Sequence, residues 1–252
     1  MKQNQLRLDS PPIVEAVVDI DCDMPPKFDL ASLEAASKEA YKPRYPHFQL
    51  RLMEEFQIKA EENGPSVQNR KRAVQAFQFR QVDQAQLVQV RSQGFSFNRL
   101  KPYTTLTDYL EEIESCWRKF VEIANPVQIR SVRMRYINRI LLPLVNDALE
   151  FNDYIKACPQ LPENSNLAFV GFLNQHSAVE LATGNEVTIV LTTQAPENDQ
   201  LPIIFDLTVC SQRSGEVENW GWILEQILSL RSLKNRIFEN TLTEKCLNLF
   251  RH

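Results

Sequence analysis

Glycine and histidine are both scarce in this sequence, with 6 glycines and 3 histidines among 252 residues. So few glycines exclude a glycine-rich phosphate cradle, and no P-loop, G-x-S-x-G or H-E-x-x-H pattern occurs. The histidines, His47, His176 and His252, lie too far apart along the chain to suggest a triad. The sequence therefore predicts no catalytic residue and leaves open whether the protein is an enzyme.

Cysteine occurs five times, an odd number, and never as C-x-x-C, which disfavours a disulfide framework or a zinc site. We expect most cysteines to be small buried side chains in a reducing cytosol. No apolar run approaches the roughly 18 residues that span a bilayer, and the first six residues contain no apolar stretch typical of a signal peptide. A cytoplasmic protein that does not contact membranes is expected.

The net charge is −4, and 24% of the residues are charged. Nucleic-acid binding proteins usually present a basic surface, so the overall charge weighs against a nucleic acid partner. With 43% hydrophobic residues, the chain can bury a substantial core.

Alternating apolar residues, helical periodicity and turn signals predict an α+β protein. We expect mainly antiparallel β-sheets with amphipathic helices packed on one side, arranged as two similar halves. The corresponding units are residues 1–145 and 146–252, packed together, with one continuous domain as the alternative. Strands are predicted at 13–22, 49–59, 73–80, 86–97, 132–143, 168–173, 177–181, 186–193 and 203–210, and an exposed loop at 61–71. Helices are predicted at 30–41, at 108–124, at 218–235 with a continuation toward 238, and from 241 or 243 to 250.

The predicted strand at 132–143 carries three arginines on one face. Strand side chains alternate, so Arg133, Arg135 and Arg139 share a face, with neighbouring positions about 7 Å apart. The opposite face is mostly apolar and carries Tyr136 and Asn138. Guanidinium groups in a row suit phosphates, carboxylates or an acidic partner surface.

Two interpretations of these arginines remain open. The favoured one is cross-strand pairing with acids of the strand at 13–22, where Glu15, Asp19 and Asp21 share a face. The other is a ligand or partner site. In that case Asp19 and Asp21 could also hold Mg²⁺ against phosphate oxygens, although two carboxylates on one strand are a weak metal signature.

Trp220 is a further candidate for partner binding. It lies at the start of the predicted helix at 218–238, where an exposed tryptophan could anchor a partner. Packing against the core near the helix start is the more common role of such a residue.

Three segments resemble the signatures of a sporadically distributed bacterial family that is catalogued only by a number. They are Pro11-Pro12-Ile13-Val14-Glu15-Ala16-Val17-Val18-Asp19-Ile20, Arg133-Met134-Arg135-Tyr136-Ile137-Asn138-Arg139-Ile140 and Phe238-Glu239-Asn240-Thr241-Leu242-Thr243. The family has no established activity and no agreed catalytic residues. Its patchy occurrence implies a link to mobile elements or host-defence loci, and the resemblance marks Tyr136, Asn138 and Arg139 without giving them a role.

Three functional hypotheses follow. The first is a cytosolic binding protein without a catalytic site, whose partner is another protein or a second copy of the chain. The second is a phosphate- or nucleotide-handling protein that uses Arg133, Arg135 and Arg139 together with Asp19 and Asp21. The third and weakest is direct nucleic-acid binding.

Overall fold

A computed structural model describes residues 8–61, 64–144, 149–162, 167 and 170–251. Within these ranges nine strands form one antiparallel sheet in the order β2-β3-β4-β5-β1-β6-β9-β8-β7. The strands are β1 (Ile13–Asp23), β2 (His47–Glu61), β3 (Gly64–Arg80), β4 (Gln86–Arg91), β5 (Gly94–Leu100), β6 (Gln128–Pro143), β7 (Leu173–Val179), β8 (Glu186–Thr193) and β9 (Gln200–Ser211).

Four α-helices accompany the sheet in the described part of the chain: α1 (Glu34–Tyr41), α2 (Leu110–Ala124), α3 (Trp220–Thr241) and α4 (Glu244–Leu247). Short 3-10 turns precede α1 and α2, at Leu30–Leu33 and Leu106–Tyr109. None of the described helices combines the length and apolar character that crossing a bilayer requires.

Helix ends follow from local side chains. The Asn219 side chain accepts a hydrogen bond from the backbone N–H of Trp222 and so caps the start of α3. Thr243 caps α4 in the same way, through the N–H of Cys246. At the end of α2, Asn125 adopts the left-handed conformation, with φ 44°, which stops the helix.

The centre of the sheet is the pair β1 and β6, in which Asp19 lies opposite Arg133 and Ala16 opposite Tyr136. This pairing gives the sheet two distinct faces, since directly opposed residues point the same way. We call one the apolar face, and it carries Ala16, Val18, Ile20, Phe95, Val132, Met134, Tyr136, Asn138 and Phe205. We call the other the polar face, and it carries Asp19, Asp21, Arg91, Ser96, Arg133, Arg135 and Arg139.

The apolar face contacts the two long helices. Phe95 packs against Trp117 and Phe120 of α2, with ring centroids 5.9 Å apart in both contacts. Phe205 stacks on Phe238 of α3 at 5.6 Å. These rings belong to one hydrophobic core that combines residues from the sheet and from both helices.

The exposed loop predicted at 61–71 is wrong for Glu61 and for residues 64–71, and residues 62–63 lie outside the described ranges. Backbone pairing between β2 and β3 continues to Glu61 opposite Gly64, so the described part of this segment is strand. β4 pairs with β3 only at Ala76–Arg80, so the outer part of the β2–β3 hairpin has no third strand beside it within the described residues. Two strands that pair only with each other need not alternate apolar and polar residues. For this reason the sequence of the outer hairpin resembles a loop.

The single strand predicted at 86–97 is also wrong, because the chain turns between β4 and β5. Gly94 opens β5 with φ 142°, and a Cβ there would lie 2.1 Å from the carbonyl oxygen of Ile20. Glycine permits both the dihedral and the close approach. The predicted strands at 168–173 and 177–181 are replaced by the single strand β7, and residues 168–169 lie outside the described ranges.

The α+β class with antiparallel pairing is confirmed. The likeness of the two halves and the division at residue 145 stay predictions. β6 belongs to the predicted N-terminal unit and β9 to the C-terminal unit, and the two strands pair along their length.

Candidate functional site

The arginines of β6 are paired with acids on the polar face. Arg133 Nη2 lies 3.4 Å from Asp21 Oδ2, and its Nη1 lies 3.9 Å from Asp19 Oδ2. Burial acts to lower the pKa of Arg133, but the neighbouring acids together with Cys210 outweigh it and hold the pKa above its ordinary value. The predicted pairing with the first strand is confirmed for Arg133.

The other two arginines pair with acids that lie far away in sequence. Arg135 donates to both carboxylate oxygens of Asp206, through Nε at 2.9 and 3.0 Å and through Nη2 at 2.5 Å. This bond raises the pKa of Arg135. Arg139 Nη2 lies 2.7 Å from Glu197 Oε1. All three cationic groups are therefore balanced by carboxylates within the protein.

Asp19 and Asp21, the metal-ligand candidates, are also engaged. Asp21 Oδ1 accepts a hydrogen bond from Arg91 Nη2 at 2.7 Å, and Asp19 Oδ1 accepts one from Ser96 Oγ at 2.5 Å. Guanidinium groups within 4 Å of both carboxylates repel a cation. Nowhere in the described ranges do three or more His, Cys, Asp or Glu side chains gather as a metal ion would need.

A second group of polar residues lies on the apolar side of the sheet, around a cavity of about 390 Å³. Its walls come from the segment before β1, the loop after β5, the middle of β6, and α3. Polar or charged side chains in its lining include Tyr103, Tyr136, Asn138, Arg231 and Lys234. We call this cavity the Lys234 pocket.

Tyr136 and Asn138, which the family resemblance marked, form the floor of the Lys234 pocket and are each only 1% exposed. Asn138 Nδ2 donates to the carbonyl oxygen of Phe205 at 2.9 Å, which fixes the amide against β9. The hydroxyl oxygens of Tyr136 and Tyr103 lie 3.5 Å apart. Burial raises the pKa of both phenols, so both are neutral hydrogen-bond donors near pH 7.

Lys234 is the residue that the sequence interpretation missed. It is 9% exposed, and its Nζ lies 4.0 Å from the centroid of the Tyr136 ring. Burial, with a smaller contribution from the charge of Arg231, lowers the pKa of Lys234 from 10.5 to about 7, while Glu239 acts in the opposite direction. The signal was present: Lys234 follows Leu230 by four residues and precedes Phe238 by four, a spacing that places it on the buried stripe of α3.

Arg231 lies one turn before Lys234 on α3. Its guanidinium donates to Thr105 Oγ1 and Thr107 Oγ1, each at 3.3 Å. Among the described residues no aspartate or glutamate lines the Lys234 pocket. The pocket lining therefore holds one permanent cation and one titratable amine, and Glu239, the acid that acts on Lys234, lies outside the lining.

Trp220 is half-buried and packs against the hydrophobic core. It borders a smaller cavity of about 260 Å³ together with Trp117 and Glu218. This position agrees with the core-packing interpretation and places Trp220 on a different site from the Lys234 pocket.

The sequence matches no protein-family model and no curated protein. The resemblance to the sporadically distributed bacterial family stays a prediction.

Proposed function

We propose that this chain is a binding protein without a catalytic site, and that it recognises an anionic group in the Lys234 pocket. The observation that carries the proposal is the unbalanced charge of the pocket, where Arg231 and Lys234 face a cavity that no described acid lines. Charges in a partly desolvated cavity interact more strongly than they do in water, so an incoming carboxylate or phosphate gains from both groups.

The polar face offers an incoming carboxylate or phosphate no comparable gain in electrostatic energy. Arg133, Arg135 and Arg139 already contact carboxylates, and a phosphate would have to displace Asp21, Asp206 or Glu197. We therefore move anion recognition from the arginine face of β6 to the opposite side of the same strand. The phosphate-handling hypothesis in its original form loses its main support.

The size of the pocket also supports a small ligand. Cavities that bind small molecules usually measure about 300–1,000 Å³, and this one measures about 390 Å³. The hydrogen-bonded pair of Tyr103 and Tyr136 has one further hydroxyl proton, which adds a directional donor to the positive charge. Small carboxylates and phosphates fit this chemistry, as does an acidic side chain of a protein partner.

The cellular compartment and the family membership of the protein are part of the same proposal. We place the protein in the bacterial cytosol, as a member of the sporadically distributed family that is linked to mobile elements or defence loci. Free thiols support a reducing compartment: all five cysteines are unpaired, and burial raises the pKa of the Cys116 thiol to about 12, which makes it unreactive. We also propose that the major helices lie on the apolar side alone.

Ligand-induced thermal stabilisation tests the proposal. Oxalate and inorganic phosphate should raise the Tm of the wild-type protein, because a ligand at 100 times its Kd stabilises the folded state by about 2.7 kcal/mol. Arg231→Gln should lose most of that increase. Arg135→Gln is the matched control, since it removes an arginine from the polar face and should keep the full increase.

Two outcomes would contradict the proposal. One is the absence of stabilisation by any small carboxylate or phosphate. The other is an increase in Tm that Arg231→Gln retains and Arg135→Gln loses, which would return anion binding to the polar face.

A further inference from the structure

Lys234 has an unusual environment for an amine. Its side chain is 9% exposed, and no hydrogen bond or ion pair to its Nζ occurs among the residues that the structure describes. Its contact is with the face of the Tyr136 ring, 4.0 Å from the centroid. The amine therefore borders a cavity with its lone pair uncommitted whenever it is unprotonated.

Burial also makes the unprotonated form accessible. With its pKa lowered to about 7, close to half of Lys234 is neutral at pH 7, whereas an ordinary lysine is almost entirely charged. A neutral amine in an apolar setting is the form that attacks carbonyl carbons. Arg231, one turn away, keeps its charge at every working pH and can hold an anion next to this amine.

We propose that Lys234 forms a reversible imine with a small aldehyde or ketone whose own carboxylate or phosphate is held by Arg231. This inference rests on the anion-binding function proposed above and names the ligand class of the same pocket. The imine adds a covalent bond to anion recognition. The positive charge of Arg231 selects the ligand, and the amine of Lys234 then binds it covalently.

The step balances without any other reactant. The Nζ lone pair attacks the carbonyl carbon, a C–N bond forms as the C=O π bond opens, and a proton passes from nitrogen to oxygen to give a carbinolamine. The C–O bond then breaks, the hydroxyl group takes up the second proton from nitrogen and leaves as water, and the C=N bond of the imine remains. Nothing is oxidised or reduced, and the addition of water reverses the reaction.

The neighbouring residues suit this step. Tyr103 and Tyr136 have raised pKa values and stay protonated; one of their two hydroxyl protons is shared between them, and the other can be donated to the oxygen of a bound carbonyl compound. No described acid lines the pocket, and the opposing effect of Glu239 on the pKa of Lys234 is outweighed by burial. A lysine with a purely structural role would normally be paired or would extend to solvent.

Reductive trapping tests the inference on the full chain. The protein is incubated with glyoxylate, glycolaldehyde phosphate or uncharged glycolaldehyde in the presence of cyanoborohydride, which converts an imine into a stable secondary amine. Peptide mass spectrometry then locates the modified lysines. Glyoxylate tests a carboxylate source, glycolaldehyde phosphate tests a phosphate source, and glycolaldehyde lacks the anionic group.

We expect Lys234 to be modified by at least one of the charged probes at concentrations that leave the exposed Lys101 and Lys156 largely unmodified. Uncharged glycolaldehyde should modify Lys234 about tenfold less, and Arg231→Gln should reduce modification by the charged probes to a similar degree. Oxalate should compete with the charged probes in the wild-type protein. This competition experiment does not depend on whether any variant folds.

Glycolate binding to the wild-type protein separates the two proposals, because glycolate has the anionic group and no carbonyl carbon that an amine attacks readily. We expect glycolate to bind the wild-type protein and to leave Lys234 unmodified in the presence of cyanoborohydride. Glycolate or oxalate binding without modification of Lys234 by the charged probes would overturn the imine while leaving the anion site intact. Failure of glycolate, oxalate and phosphate to bind the wild-type protein would overturn both.

Discussion

Lys234 and Asp21 are both charged side chains beneath the protein surface, and their surroundings differ. Asp21 lies between Arg91 and Arg133, so its charge is compensated. Lys234 faces an aromatic ring and a cavity instead. A lysine pKa that is lower in the folded state than in the unfolded state means that the charged lysine destabilises the fold. A decrease from 10.5 to about 7 lowers the free energy of unfolding by roughly 5 kcal/mol at pH values below 7.

This cost gives the stability of the protein a defined dependence on pH. Between pH 7 and about 10 the unfolded chain binds more protons at Lys234 than the folded chain does, so the free energy of unfolding rises with pH across that window. The groups that face the amine are Arg231 and Glu239 on its own helix and Tyr103 and Tyr136 from the sheet side. Below pH 7 the full cost of burial is present.

We expect Lys234→Met to raise the free energy of unfolding at pH 7 by about 2–4 kcal/mol, since it fills the same volume without a charge. The difference from the wild-type protein should shrink steadily toward pH 10. Urea unfolding at pH 6, 7, 8.5 and 10 measures this, with the exposed Lys156→Met as the control. A difference between variant and wild type that stays constant with pH would show that the amine is not desolvated.

The acids of the polar face should differ in their contributions. Asp21→Asn removes the nearest carboxylate of Arg91 and Arg133 in a nearly buried position and leaves them only the longer contacts to Asp19, at 3.7 and 3.9 Å. It should cost about 2–4 kcal/mol of unfolding free energy. Asp206→Asn affects a pair whose arginine is 48% exposed and should cost less than about 1 kcal/mol. Chemical denaturation at pH 7 measures both. Equal costs would contradict the cross-strand network as described.

At the scale of single residues, strand alternation alone located one pair correctly. It placed Arg133 and Asp19 on matching faces, and their register confirms it. It could not identify Asp206 or Glu197 as partners, because they reach β6 through β9 and its preceding turn, more than 50 residues further along the chain. Lys234 was missed because a lysine in a helix normally indicates the solvated face.

At the scale of elements, the β2–β3 hairpin is the clearest departure from expectation. Its inner end joins the sheet through β4, whereas its outer part consists of two paired strands only. Isolated two-stranded segments are marginally stable in water. We therefore expect the outer part to add little to the stability of the fold. The inner end belongs to the core, where Phe79 of β3 is fully buried and its ring centroid lies 5.2 Å from that of Phe48.

Replacement of residues 54–72 by an Asn-Gly turn should leave the rest of the protein intact. The turn would connect Met53 to Ala73, which are already paired across the hairpin. We expect a Tm within a few degrees of the wild-type value and unchanged oxalate binding, measured by thermal unfolding and calorimetry. Loss of cooperative unfolding would show that the outer hairpin supports the core.

Helices were more predictable than strands. Their apolar stripes and caps are local features, and both long helices occur close to their expected limits. The turn between β4 and β5 was missed because Gly94 is required by a contact with β1, which is distant in sequence. Such a contact cannot be read from the local pattern.

At the scale of the whole molecule, one sheet crosses the predicted boundary between the two units. β1 inserts between β5 and β6, and β6 continues the sheet into β9. Strand order of this kind depends on pairing between distant segments, which local sequence patterns do not specify. The α+β class needed only the element types and was predictable.

A continuous sheet should unfold as one unit. We expect urea unfolding, followed by tryptophan fluorescence and by far-UV circular dichroism, to give a single transition with the same midpoint. The separate fragments 1–145 and 146–252 should not fold, because each exposes an unpaired edge of β6 or β9 along its whole length. Two separate transitions, or a stable fragment, would support the division at residue 145 instead.

The central claim is that the Lys234 pocket binds an anion through Arg231 and Lys234. Calorimetric titration with oxalate at pH 6 and pH 8.5 tests it most directly, because both carboxylates of oxalate are ionised throughout this range and the lysine is not. We expect about tenfold weaker binding at pH 8.5, proton uptake on binding near pH 7.5, and loss of binding in Arg231→Gln. Equal affinity at both pH values without proton uptake, or no binding at all, would contradict the account.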